Sequence, residues 1–181
     1  MNNNRKTLFA VGLVCTFSLQ PLVAQAVSCN DGEELTPVRG KIFNNAIQPG
    51  TTLGTAHIKI DDDRMKCGIM GQGAVGNDGS INFVHTLVCN DKVIFPQTGD
   101  VIHSQITLNT TGFANFQACP EGFPPGSAVG TFQETSVPIP GTGRGVFDGI
   151  ERGEIHIQGT VNCLAAIDMK FSGAICLKDD D

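Results

Sequence analysis

Apolar and polar residues alternate along most of this chain, and no stretch after the first 26 residues carries the three-to-four residue repeat of an amphipathic helix. In SINFVHTLVC (80–89), Ile81, Phe83, His85, Leu87 and Cys89 share one parity and Asn82, Val84, Thr86 and Val88 the other. The same two-residue period predicts strands at 36–43, 52–60, 65–70, 100–109, 127–137, 143–147, 153–161 and 166–177. Turn chemistry separates them at Gln48-Pro49-Gly50, Gly76-Asn77-Asp78-Gly79, Pro96-Gln97-Thr98-Gly99, Pro124-Pro125-Gly126 and Pro138-Ile139-Pro140-Gly141. The expected fold is all-β: an antiparallel barrel of about eight strands, with a two-sheet sandwich as the alternative. Segment 110–126, with Cys119 and three prolines, breaks the alternation and reads as a long crosslinked loop.

GTGRGVFDGIERGEIHIQGTV (141–161) removes side chains at Gly141, Gly143, Gly145, Gly149, Gly153 and Gly159. Alternate glycines leave one face of a strand bare, which lets it bend or lets another backbone approach. The stretch therefore reads as a bent strand, a turn and a return strand. It contains no phosphate-loop pattern and opens no helix whose N-terminus could hold a phosphate. With Gly143, Gly145, Phe147, Gly149, Gly153 and Gly159, this segment resembles the late hairpin of the allene oxide cyclase and dirigent barrel superfamily. The resemblance implies an eight-stranded antiparallel barrel, often oligomeric, that cyclises or steers small apolar substrates without a cofactor.

The chain opens on a short basic segment, MNNNRK, then an apolar run that ends at Ala24-Gln25-Ala26. Pro21 and the small-residue site fit a cleaved signal peptide over 1–26 better than a membrane span. The expected mature chain is 27–181, a single domain that is secreted or periplasmic, with no membrane span. Its six cysteines, Cys29, Cys67, Cys89, Cys119, Cys163 and Cys176, are even in number and lack zinc-ligand spacing, so they are expected to form disulfides. Strand neighbours suggest Cys67 with Cys89 and Cys163 with Cys176.

Loss of Arg5 and Lys6 leaves ten basic residues against 18 acidic ones, a net charge near −8. Polyanions, nucleic acid among them, are poor partners for such a surface. The absence of Trp and Tyr removes the usual stacking rings for sugars and single-stranded bases. Asp61-Asp62-Asp63-Arg64 lacks the ligand spacing of a calcium loop and reads as a solvated turn. Asn109-Thr110-Thr111 matches a glycosylation acceptor, a triplet common by chance. No metal or cofactor site is indicated.

Strand parity sorts the candidate chemistry. His57, His156 and Asp168 fall on polar faces, and His103 on the more polar face of its strand. His85 falls with Ile81, Phe83 and Leu87, either as a core histidine or as a pocket acid or base. Glu134 shares a face with Phe132 and Gly130, and in a barrel interior its carboxyl would titrate high enough to act as a base. The other parity would put Val129 and Val137 inside and Glu134 outside. Three functions follow: a secreted barrel that binds a small apolar molecule, a cofactor-free cyclase or isomerase using Glu134 and His85, or an interaction or inhibitor protein acting through 110–126. An open barrel interior would favour the first two, and a filled one the third.

Overall fold

In the computed structural model, residues 27–94, 99 and 101–178 are described, so the expected leader at 1–26 and most of the expected turn at 96–99 lie outside them. Eight strands close into one antiparallel barrel in sequence order: β1 (Glu33–Gln48), β2 (Thr51–Ile60), β3 (Asp63–Val75), β4 (Ser80–Ile94), β5 (Val101–Ala118), β6 (Ala128–Pro138), β7 (Gly153–Val161) and β8 (Ala166–Lys178). The barrel closes by pairing β1 with β8 from Glu33↔Lys178 to Asn45↔Ala166. Closure leaves no free sheet edge.

Alternation predicts the inside well because a barrel of eight strands has room for little beyond its own side chains. Val38, Ile42, Ile58, Ile69, Leu87, Ile106, Ile157 and Phe171 point inward and are buried. The lower interior is almost filled, with a residual void of only about 40 Å³. Each large apolar side chain fully buried there contributes roughly 1.5–3 kcal/mol.

Two expected segments differ. The strand expected at 143–147 is instead part of a crossing segment that turns through one 3-10 turn, Gly145–Phe147, and plugs one end of the barrel. Phe147 and Ile150 enter the core at 3% and 1% exposure. The segment is tied to β5 where Gln105 and Arg144 exchange backbone hydrogen bonds (3.1 and 2.9 Å). Ser104 Oγ accepts from the Val146 N–H (2.9 Å) and donates to the Asp91 carboxylate. Gly145 has φ +66°, and a Cβ there would run into Ser104. Glycine is needed here for a close crossing, not for a bare strand face.

The loop expected at 110–126 is shorter. β5 continues to Ala118 by pairing with β6 from Leu108↔Pro138 to Ala118↔Ala128, which leaves 119–127 as the loop. Its neck is closed by the Cys119 N–H donating to the Ser127 carbonyl (3.0 Å).

Three disulfides form: Cys29–Cys176, Cys67–Cys89 and Cys119–Cys163. Cys67 and Cys89 sit directly opposite on β3 and β4. The expected Cys163–Cys176 pair does not form. Cys163 lies in the β7–β8 turn and Cys176 near the far end of β8, roughly 30 Å away at ~3.3 Å per residue. Each instead bonds a cysteine at its own end of the barrel.

Candidate functional site

Opposite the plug, the barrel is open. The C-terminal ends of β1, β3, β5 and β7 and the N-terminal ends of β2, β4, β6 and β8 form a cup of about 680 Å³, within the range of small-molecule sites. Its mouth is aromatic and aliphatic: Ile81, Phe83, Phe116, Phe132, Ile167 and Met169. Phe116 and Phe132 meet edge to face, with centroids 6.3 Å apart. Pro124 to Ser127 of the 119–127 loop form part of the rim, and Cys119–Cys163 staples that loop to the β7–β8 turn.

Between the apolar mouth and the filled lower core lies a belt of buried polar side chains: Asn44, Thr52, His85, Thr110, Glu134 and Ser136. His85 Nδ1 lies 3.0 Å from Thr110 Oγ1, and Thr110 Oγ1 lies 2.6 Å from Ser136 Oγ. The ring stacks on Phe83, with centroids 5.7 Å apart. Gly71, directly opposite both Thr52 and His85, makes room for them. A Cβ at Gly71 would lie 2.6 Å from Thr52 Oγ1 and 2.7 Å from His85 Nε2. Asn44 Nδ2 donates weakly to Thr52 Oγ1 (3.4 Å).

Glu134 projects inward between Phe132 and Ser136 on β6 and is 8% exposed. Burial pushes its carboxyl up to about 7, because desolvation penalises the charged form. The same cause pushes His85 down to about 4. Near neutral pH the imidazole is uncharged and the carboxyl shares its population between acid and anion. Glu134 Oε2 and Asn44 Oδ1 are buried without a hydrogen-bond partner among the described residues. Buried polar atoms are nearly always paired, so two orphans in one cup mark a place where a donor is wanted.

His57, His103, His156 and Asp168 are exposed on the outer wall, and Val129 and Val137 face outward opposite Glu134. His156 Nε2 lies 3.1 Å from a Glu154 carboxylate oxygen in the solvent. Asp61 to Asp63 form the β2–β3 turn, where Lys59 pairs with Asp62 at 2.8 Å. Asn109 is exposed, whereas Thr110 of the same triplet is buried in the polar belt. Sequence reasoning missed Asn44, Thr52, Thr110 and Ser136. Parity carried the signal for two of them: Ser136 follows Glu134 by two positions, and Thr110 follows Leu108 by two. Ending β5 at residue 109 hid Thr110.

Among the described residues, no helix is long and apolar enough to cross a membrane. The outer wall carries Arg39, Lys41, Lys59, Lys66, Glu154 and Lys170 along its strands, which differs from the continuous apolar band of a lipid-facing barrel. The described residues that approach metal-ligand spacing are Cys29, Glu33 and Cys176, and both sulfurs there are consumed by a disulfide. No protein-family profile, characterised protein or solved structure matches this chain. The fold that the geometry defines is a disulfide-bearing, eight-stranded antiparallel barrel, plugged at one end and open at the other.

Proposed function

We infer that the chain is exported, loses residues 1–26, and works as a barrel that holds one small, mainly apolar, uncharged molecule in its open cup. Three disulfides suit an oxidising compartment. The observation that carries the reading is the unpartnered Glu134 carboxyl in the wall of an otherwise aromatic and aliphatic cavity. Such a site rejects charged ligands by desolvation and selects for a hydrogen-bond donor on an apolar body.

N-phenyl-1-naphthylamine has that chemistry: two aromatic ring systems, phenyl and naphthyl, and one N–H. The protein should bind it with a rise in fluorescence, and Glu134→Leu, which removes the acceptor, should weaken binding by about tenfold, the loss of a hydrogen bond to a buried carboxyl. A flat titration, or equal affinity in the variant, would sink the reading.

The same carboxyl favours a second function, a cofactor-free cyclase or isomerase of the allene oxide cyclase or dirigent kind. A general base works best when its pKa lies near the operating pH, and Glu134 lies at about 7. Here Glu134 would accept a proton from the bound molecule while neutral His85, held by Thr110, would orient it. A variant that keeps ligand binding and loses turnover would separate this function from simple binding. The open cup gives less support to an inhibitor acting through the 119–127 loop, since that loop is part of the cup's rim.

A further inference from the structure

Charge on the outer wall is segregated in a way that a net charge conceals. On β1, Lys41 stands directly opposite Lys170 of β8 and His57 of β2, and His57 stands opposite Lys66 of β3. Two residues along, Arg39 stands opposite Ser172 and Lys59, and Lys59 opposite Arg64. The result is two adjacent rows across four strands, with six cations and one histidine in a chain of net charge −6. These six are the majority of the ten Lys and Arg residues after residue 26. Rows lie ~7 Å apart and strands ~4.8 Å apart.

Like charges placed directly opposite on a sheet destabilise it. Stability alone would therefore disperse them. Of these six cations, only Lys59 is ion-paired among the described residues, to Asp62. The carboxyl of Asp62 is held low by the hydrogen bond and charge of Lys59, and Arg39 adds to that field. Asp168, beside Lys170 and opposite Phe43, borders the other edge. Five cations of the grid have no described carboxylate partner.

We propose that this face of β8, β1, β2 and β3 binds a linear acidic polysaccharide, sulfated or uronate-bearing, independently of the cup. Shape selects the partner. Four adjacent strands of eight cover about half the circumference of a closed barrel. A flat anionic membrane would touch only a stripe of that convex face, whereas a flexible polymer follows the curve. Apart from the His57 imidazole, the two rows project no aromatic ring, so single-stranded bases find no run of stacking platforms. The disulfides also suit a compartment where acidic polysaccharides occur.

Residues 27–181, produced with the disulfides formed, are titrated with fluorescent heparin fragments and with polygalacturonate at 0.15 M NaCl, a physiological ionic strength. Binding to either polymer is expected, weakening steeply as salt rises because bound counterions are released. Lys41→Glu with Lys66→Glu should reduce affinity by at least about tenfold, while Arg144→Glu with Lys178→Glu, of equal net charge but off the grid, should change it less than about twofold. Lys41→Gln with Lys170→Gln gives a milder version that spares the fold. Circular dichroism should be unchanged in every variant, since all these side chains are outside the core. The proposal is overturned by no binding at that salt, by equal losses in both charge-reversed pairs, or by tighter binding to duplex DNA or to phosphatidylglycerol vesicles than to either polysaccharide.

Discussion

The two ends of the barrel are built from the same strands and behave as opposites. At one end the crossing segment inserts Phe147 and Ile150, Cys29–Cys176 ties the segment before β1 to β8, and Cys67–Cys89 crosslinks β3 to β4. At the other end the equivalent space is left open, ringed by phenylalanines and floored by the polar side chains of Asn44, Thr52, His85 and Glu134. Burial that stabilises the plugged end is withheld from the cup. A barrel of this size can close at both ends or carry a site at one of them, because its interior volume is limited. The sealed core and the open cup are thus separated along the barrel axis.

Substitutions should divide along the same axis. The largest effect is expected at the plug. Ile150→Ala removes a side chain that is 1% exposed and should cost about 2–5 kcal/mol in urea unfolding. Phe83→Ala at the half-buried mouth should cost clearly less. Equal losses would mean that the cup is as integral to the core as the plug.

Disulfides come next. Removing Cys29–Cys176, which closes 147 residues, should cost about 2–5 kcal/mol. Removing Cys119–Cys163 should cost less global stability and chiefly loosen the rim loop, seen as faster amide exchange at 119–127. Slow exchange in that loop after the bond is cut would remove the staple's assigned role.

The polar belt predicts a pH effect that the wild type conceals. Glu134 has a raised folded pKa, so its contribution is present below about 4.5 and lost as pH rises through about 7. His85 has a lowered one, so its contribution is present above about 6.5 and lost as pH falls through about 4. The two slopes oppose each other across most of their shared window. Glu134→Gln should therefore expose a loss of stability on acidification, and His85→Gln a loss on going from pH 5 toward 7. Each shift corresponds to at most ~3 kcal/mol. Melting temperatures of both variants across pH 4 to 8 check the signs, and a shared sign would contradict the burial assignment.

The smallest effect belongs to the outer wall. His156→Gln should change stability and ligand binding by less than about 0.5 kcal/mol, since its partner Glu154 is a solvent-exposed contact. A large effect there would place chemistry on the wrong side of the barrel.

Parity along β4 and β6 grouped His85 with Phe83 and Leu87, and Glu134 with Phe132, while leaving open which face of β6 turns inward. It works because side chains alternate strictly and a barrel has only an inside and an outside. The same local rule failed at 143–147. Alternate glycines look alike whether they relieve a bent strand or let a turn cross a barrel end, and only contact with Ser104 distinguishes the two. It failed again at 110–118, where Thr110 and its neighbours take strand geometry because β6 lies alongside to pair with them.

What the chain determines by itself is local: strands from a two-residue period, turns from Gly, Pro, Asn and Asp, and an inside and outside for each strand. The all-β class and the pairing of His85 and Glu134 with apolar neighbours on one face follow from that pattern. Tertiary structure alone decided how Cys29, Cys119, Cys163 and Cys176 pair, which end is sealed, and that six cations from four strands stand together on one face. Each of these depends on barrel closure and register, which bring residues far apart in sequence to the same height on neighbouring strands. Alternation repeats every two residues and is unchanged by a two-residue slip. It can tell which face a side chain takes but not which neighbour it meets there.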